Sequence, residues 1–174
     1  MKRRIAALLA AAGLCSILGG CGASGEDWVL CEYTVDDALH AVILQRYTLD
    51  DNLCWAVDDS WSPKMYEPLN SSGSLALFLH QDGGTLSLGV TEDGATAASF
   101  LLPDDTPAGV ESIGSPAEAA ELVYGEEIPI LIRTVGDSGG AAPFTAGDFA
   151  DPSRFEGDLF TEAYTVIFSD TAPE

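Results

Sequence analysis

Residues 75–102 read LALFLHQDGGTLSLGVTEDGATAASFLL, and this stretch decides the fold. Leu75, Leu77 and Leu79 alternate with Ala76, Phe78 and His80. After Asp82-Gly83-Gly84, Leu86, Leu88 and Val90 alternate with Thr85, Ser87, Gly89 and Thr91. A period of two is the signature of a strand with one buried and one wet face. Asp93-Gly94 is a two-residue hairpin signal, because both positions of such a turn take φ > 0. Ala97 to Leu102 then returns. The spacing predicts a three-stranded antiparallel meander.

Outward from this meander the chain continues in the same idiom. Residues 28–35 are apolar and β-branched. Residues 39–49 satisfy both helical spacing and strand alternation, and Val42, Ile43, Tyr47 and Thr48 favour strand. Residues 53–57, 128–135 and 160–168 read as further strands, with Pro129 placing its strand at an edge or a start. One helix is predicted: Ser115-Pro116-Ala117-Glu118 is a capping box with Pro at the first helical position, followed by Ala119 to Val123 and stopped at Gly125. The expected architecture is mainly β, seven to eight antiparallel strands in a sandwich or open barrel with one short α-helix. It spans a single domain over residues 27–170, with a frayed tail at 171–174. The connections 58–74 and 136–158 are rich in Gly, Pro, Ser and Asp. Connections of that length are where a site is expected.

The N-terminus has a different grammar. Lys2, Arg3 and Arg4 form a basic head, and Ile5 to Leu18 an apolar run too short to be read as a spanning helix. Leu18-Gly19-Gly20-Cys21 comes next: a leucine, two small residues and a cysteine. This resembles the lipobox of bacterial lipoproteins. The resemblance implies that residues 1–20 are a signal peptide and that Cys21 carries a thioether-linked diacylglyceryl group such as a palmitate ester. Residues 21–26 would then be a lipidated tether, anchoring the domain to the cell membrane on its extracytoplasmic side. Two or more acyl chains are what stable anchoring requires. The alternative is a cut at a small-residue site that leaves no lipid.

On this reading Cys15 leaves with the signal and Cys21 takes the lipid, so Cys31 and Cys54 remain where disulfides persist. A Cys31–Cys54 bridge is expected, closing a loop of about 24 residues and adding on the order of 3 kcal/mol; two free thiols are the alternative. Two cysteines at this spacing lack the partner pair of a zinc site. Beyond the basic head only Arg46, Lys64, Arg133 and Arg154 stand against 28 acids. Such a chain is unsuited to nucleic acid, whose binding rests on Lys and Arg contacts to phosphate. Solubility at a crowded surface explains the charge, and so does a basic partner. Asp36-Asp37, Asp50-Asp51, Asp58-Asp59 and Asp104-Asp105 fall where turns are expected, and no segment has the ligand spacing of a calcium loop. No metal and no cofactor is expected.

Two motifs bear on chemistry. Gly136-Asp137-Ser138-Gly139-Gly140 resembles the nucleophile loop of chymotrypsin-like serine proteases. The resemblance implies Ser138 as nucleophile with His40 or His80 as base and an aspartate such as Asp104 behind it. Arg133-Thr134-Val135 and Ala141 stand where that family has Cys and Pro, and neither histidine lies in the family's setting. The plainer reading is a turn. Trp61 and Tyr66 lie near Asp58 and Asp59, and aromatic faces beside carboxylates suit glycan binding, with Trp61 as the exposed contact and Trp55 packed beside the expected bridge. The leading expectation is a membrane-anchored surface lipoprotein without catalysis, binding a partner or ligand or serving the envelope. A small hydrolase using Ser138 and a glycan-binding module at Trp61 are the alternatives.

Overall fold

A computed structural model describes residues 4–12, 27–68, 70–82, 85–93, 95–103, 105–114, 120–136 and 145–171. The protein is mainly β. The eight strands expected from sequence are present as β2 (Asp27–Thr34), β3 (Ala41–Leu49), β4 (Trp55–Val57), β6 (Ser72–Asp82), β7 (Thr85–Glu92), β8 (Ala95–Leu102), β11 (Glu127–Gly136) and β12 (Phe160–Ser169). Four more accompany them: β1 (Arg4–Ala12), β5 (Lys64–Tyr66), β9 (Val110–Gly114) and β10 (Ala120–Val123). They form two sheets with every pair antiparallel. One runs β10-β1-β2-β6-β7-β8, and the other β4-β3-β12-β11-β9 with β5 also on β3.

The meander folds as its alternation dictates. β6 and β7 pair up to Asp82↔Thr85, with Gly83-Gly84 between them in sequence, and β7 and β8 close through Glu92↔Ala95. Asp93 adopts φ 49°, the left-handed conformation that the Asp-Gly turn demands. Leu75, Leu77, Leu88 and Val90 turn inward and are buried. From the facing sheet come Val42, Leu44, Leu131, Tyr164, Val166 and Phe168, so the inner faces of the two sheets share one core. Tyr33 of β2 meets Phe168 of β12 across it, ring centroids 5.4 Å apart. Stacked sheets join through such interdigitated inner faces.

The helix is misplaced in the sequence reading. Ala120–Val123 is strand β10, and the capping box at 115–118 lies outside the described residues. Leu122 and Tyr124, two positions apart, are both buried in the core, a strand period that tertiary packing imposes over local helical preference. Gly125 (φ +74°) serves instead in the turn from β10 to β11. The one α-helix among the described residues, α1 (Ala146–Ala150), lies in the segment expected to be a loop, and a 3-10 turn at Pro152–Phe155 comes after it. It covers the outer face of the second sheet. There Phe149 stacks on Trp55 at 5.2 Å, and Phe155, Ile132 and Ala163 form a second small core. No helix among the described residues is long and apolar enough to cross a membrane.

Strand β1 comes from the segment whose sequence reads as an export signal. It lies between β2 and β10, paired through Ala10↔Glu32 to Ala12↔Leu30 on one side and through Leu8↔Glu121 and Leu9↔Ala120 on the other.

Candidate functional site

The inner face of the second sheet changes character at one level along three neighbouring strands. On β3 the inward series Val42, Leu44 ends in Arg46. On β12 the series Phe168, Val166, Tyr164 ends in Glu162, and on β11 Leu131 is succeeded by Arg133. The register places Arg133 directly opposite Glu162 and Arg46 opposite Tyr164, diagonal to Glu162. Cross-strand and diagonal neighbours on one face are within reach of long side chains. Arg46 and Glu162 are fully buried and Arg133 nearly so.

Glu162 is the hub. Its Oε2 accepts from Arg46 Nε at 2.6 Å and its Oε1 from an Arg133 terminal nitrogen at 2.7 Å. The outer ends of the guanidiniums are met by connections. Asp58 takes one terminal nitrogen of Arg46, and Asp105 takes the other at 2.9 Å. Glu111 of β9 accepts from Arg133 Nε, and Thr106 Oγ1 accepts from the same Arg133 terminal nitrogen at 3.0 Å. Half of the cations outside the basic head are therefore spent on one buried cluster. Burial opposes both arginine charges and is the largest single influence, but the partners around them, Glu162 foremost with Asp105 at Arg46 and Glu111 at Arg133, together outweigh it, so both guanidiniums stand above their ordinary pKa. Burial likewise acts to raise the Asp58 pKa, yet the hydrogen bonds from Ser60 and the charge of Arg46 hold it below the usual carboxylate range.

The cluster fixes two connections to the end of the sheet. Asp58 also accepts from Ser60 N–H at 2.9 Å and Ser60 Oγ at 2.6 Å, a tight turn that delivers Trp61 into the core. Trp61 is 1% exposed and meets Phe100 and Tyr164 edge to face at 5.9 and 6.4 Å. The glycan platform expected here is overturned: Trp61 is a core plug, Tyr66 is buried, Asp58 is bound to Arg46, and only Asp59 lies in solvent. Trp55 does not enter the main core either. It sits on the outer face, where its Nε1 donates to the Phe149 carbonyl at 2.8 Å.

The residues of the hydrolase alternative fall partly outside the described residues. Val135 pairs with Phe160 at one end of β12, whereas the His40 N–H donates to the Ser169 carbonyl at the other end, 2.8 Å away. Nine residue steps of strand span about 30 Å. Ser138 lies outside the described residues. His40 is exposed. His80 stands opposite Ser87 in the other sheet, its side chain outside the described set.

Cys54 is a free, exposed thiol that donates weakly to the Asn52 carbonyl at 3.7 Å. Cys31, the other partner of the expected bridge, has its side chain outside the described residues. Cys54 lies in the β3–β4 turn of one sheet, while Cys31 is held in β2 of the other, opposite Leu75.

Sequence reasoning misses the ionic cluster, though a signal exists: Arg46 falls in phase with Val42 and Leu44, a charge on the buried parity of an apolar strand. Chemically the cluster is a clasp. Each of these bonds from the two guanidiniums goes to an acceptor of the protein's own. No family model, no curated protein and no solved structure matches this chain.

Proposed function

We propose that this chain is the precursor of a membrane-anchored lipoprotein whose mainly-β domain faces the extracytoplasmic side and acts by binding a partner rather than by catalysis. The observation that carries the reading is Leu18-Gly19-Gly20-Cys21 behind a basic head and a short apolar run. The 28 acids, all beyond residue 21, suit a domain held off an anionic membrane surface and open to a basic partner. Processing before Cys21 removes the residues of β1, so the domain of the mature protein starts at β2.

Labelling cells with a palmitate analogue tests the reading. The wild-type chain should take up label and partition with membranes, and Cys21→Ser should abolish both. Label retained by Cys21→Ser, or a wild-type chain that takes up none, would overturn it.

A further inference from the structure

Processing has a structural consequence. β1 is an interior strand, and its removal leaves a gap one strand wide between β2 and β10. Both rails are held from elsewhere. β2 runs an eight-pair ladder with β6, from Asp27↔Leu79 to Thr34↔Ser72. β10 is tied down at its C-terminal end: Leu122 is buried, the Tyr124 hydroxyl donates to Asp36 Oδ1 at 2.8 Å, and the Gly125 N–H donates to the Phe168 carbonyl at 3.0 Å. Since β1 is antiparallel to both rails, β2 and β10 run parallel to each other. Closing the gap would therefore need a new parallel ladder and a shift of about 4.8 Å by a strand anchored on the far sheet. An open gap instead presents two rows of unpaired N–H and C=O groups, which is what an added strand recognises.

We propose that in the processed protein this gap is a strand acceptor, filled by an extended apolar segment carrying Lys or Arg from an exported partner protein. The inference rests on the lipoprotein reading, because only processing vacates the gap. Two observations set the chemistry of the occupant. The strand seated there is RIAALLAAA, small or aliphatic after its first residue, with Ala10–Ala12 in register with β2 and Arg4, Leu8 and Leu9 in register with β10, so an occupant is held by one rail and then the other along its length. Each rail also carries an acid where the two ladders meet, Glu32 at the register position of Ala10 and Glu121 at that of Leu8. Opposite charges at paired positions favour the match, and a second copy of so acidic a chain repels.

The test uses the processed protein extracted from membranes, its N-terminus first read by intact mass. The probe is a fluorescein-labelled peptide of residues 4–12 carrying Leu8→Lys and Ala10→Lys, monitored by anisotropy against a micelle blank. Saturable binding is expected, weakened about tenfold or more when proline replaces Leu9, since one ladder hydrogen bond is lost. Glu32→Gln with Glu121→Gln should erase the advantage of the lysine peptide over RIAALLAAA itself. Amides at 28–32 and 120–123 should gain exchange protection on binding. The proposal is overturned by absent binding to protein of verified mass. It is overturned equally by protection of both rails in the free protein, meaning the gap has closed, or by a dimer that the peptide dissociates, meaning a second copy fills it. A mass that retains residues 1–20 instead overturns the lipoprotein reading itself, and the gap with it.

Discussion

Replacing Glu162 by Gln removes one charge from the centre of the sandwich while keeping the shape of the side chain. Glu162 accepts one bond from each of two buried guanidiniums, at 2.6 and 2.7 Å. A glutamine oxygen can serve one of them; its NH2 group then faces the other, donor against donor. Arg46 keeps Asp58 and Asp105, and Arg133 keeps Glu111, but Asp105 and Glu111 are about half exposed and screened by solvent. Breaking a buried ion pair from one side costs about 3–5 kcal/mol, because a charge is left without its partner in a poorly solvating interior. With a urea slope near 2–3 kcal/mol/M, the midpoint should fall by roughly 1–2 M. Urea unfolding monitored by tryptophan fluorescence reads this directly. The companion variant Arg46→Met with Glu162→Leu, Arg133→Met and Asp58→Asn removes the buried and nearly buried charges together and should recover most of the loss, since apolar or neutral replacement of a whole buried network is often neutral or stabilising. A midpoint for Glu162→Gln within experimental error of wild type would refute the argument that this cluster clasps the fold.

The same structure sets the outcome of four other perturbations. Trp61→Ala should cost about 3–5 kcal/mol in the same assay, whereas a surface sugar platform would leave stability nearly unchanged. Asp58 has its pKa lowered in the folded state, so its contribution is present above the unfolded value near 4 and is lost as pH falls through the folded one. Urea midpoints measured from pH 5 downward should therefore fall less steeply for Asp58→Asn than for wild type. Cys54 should react with a thiol reagent in the native protein, and Cys54→Ser should abolish that reaction; an unreactive native protein would point back to the bridge with Cys31. Gly109→Ala should destabilise, because a Cβ there would lie 2.6 Å from Val135 Cγ1; an unchanged urea midpoint would contradict that.

The strands are legible where alternation and turn chemistry agree. Residues 75–102 carry both, and their pairing through Asp82↔Thr85 and Glu92↔Ala95 is what those turns dictate. The segment 120–124 departs from the helix expected there because the capping box before it is local information, whereas the burial of Leu122 and Tyr124 is set by the core they complete. Trp61 misleads because its neighbours Ser60, Ser62 and Pro63 are polar or loop-forming. The turn at Asp58 reverses the chain and sends the indole inward, and that turn is held by Arg46 from β3. The clasp itself needs the register of three strands distant in sequence. Charge on a buried parity marks Arg46 as unusual, but nothing local ties it to Glu162. The helix at 146–150 is hidden by its length of five residues, too short for a periodic signal.

The proposed function stands on where the mature chain begins. Intact-mass analysis of the protein purified from its own membranes measures that directly. The result expected is a chain starting at Cys21 and heavier than residues 21–174 by a diacylglyceryl group, with or without a further acyl chain. A mass equal to the whole 174-residue chain, or to a cut chain without lipid, would contradict it.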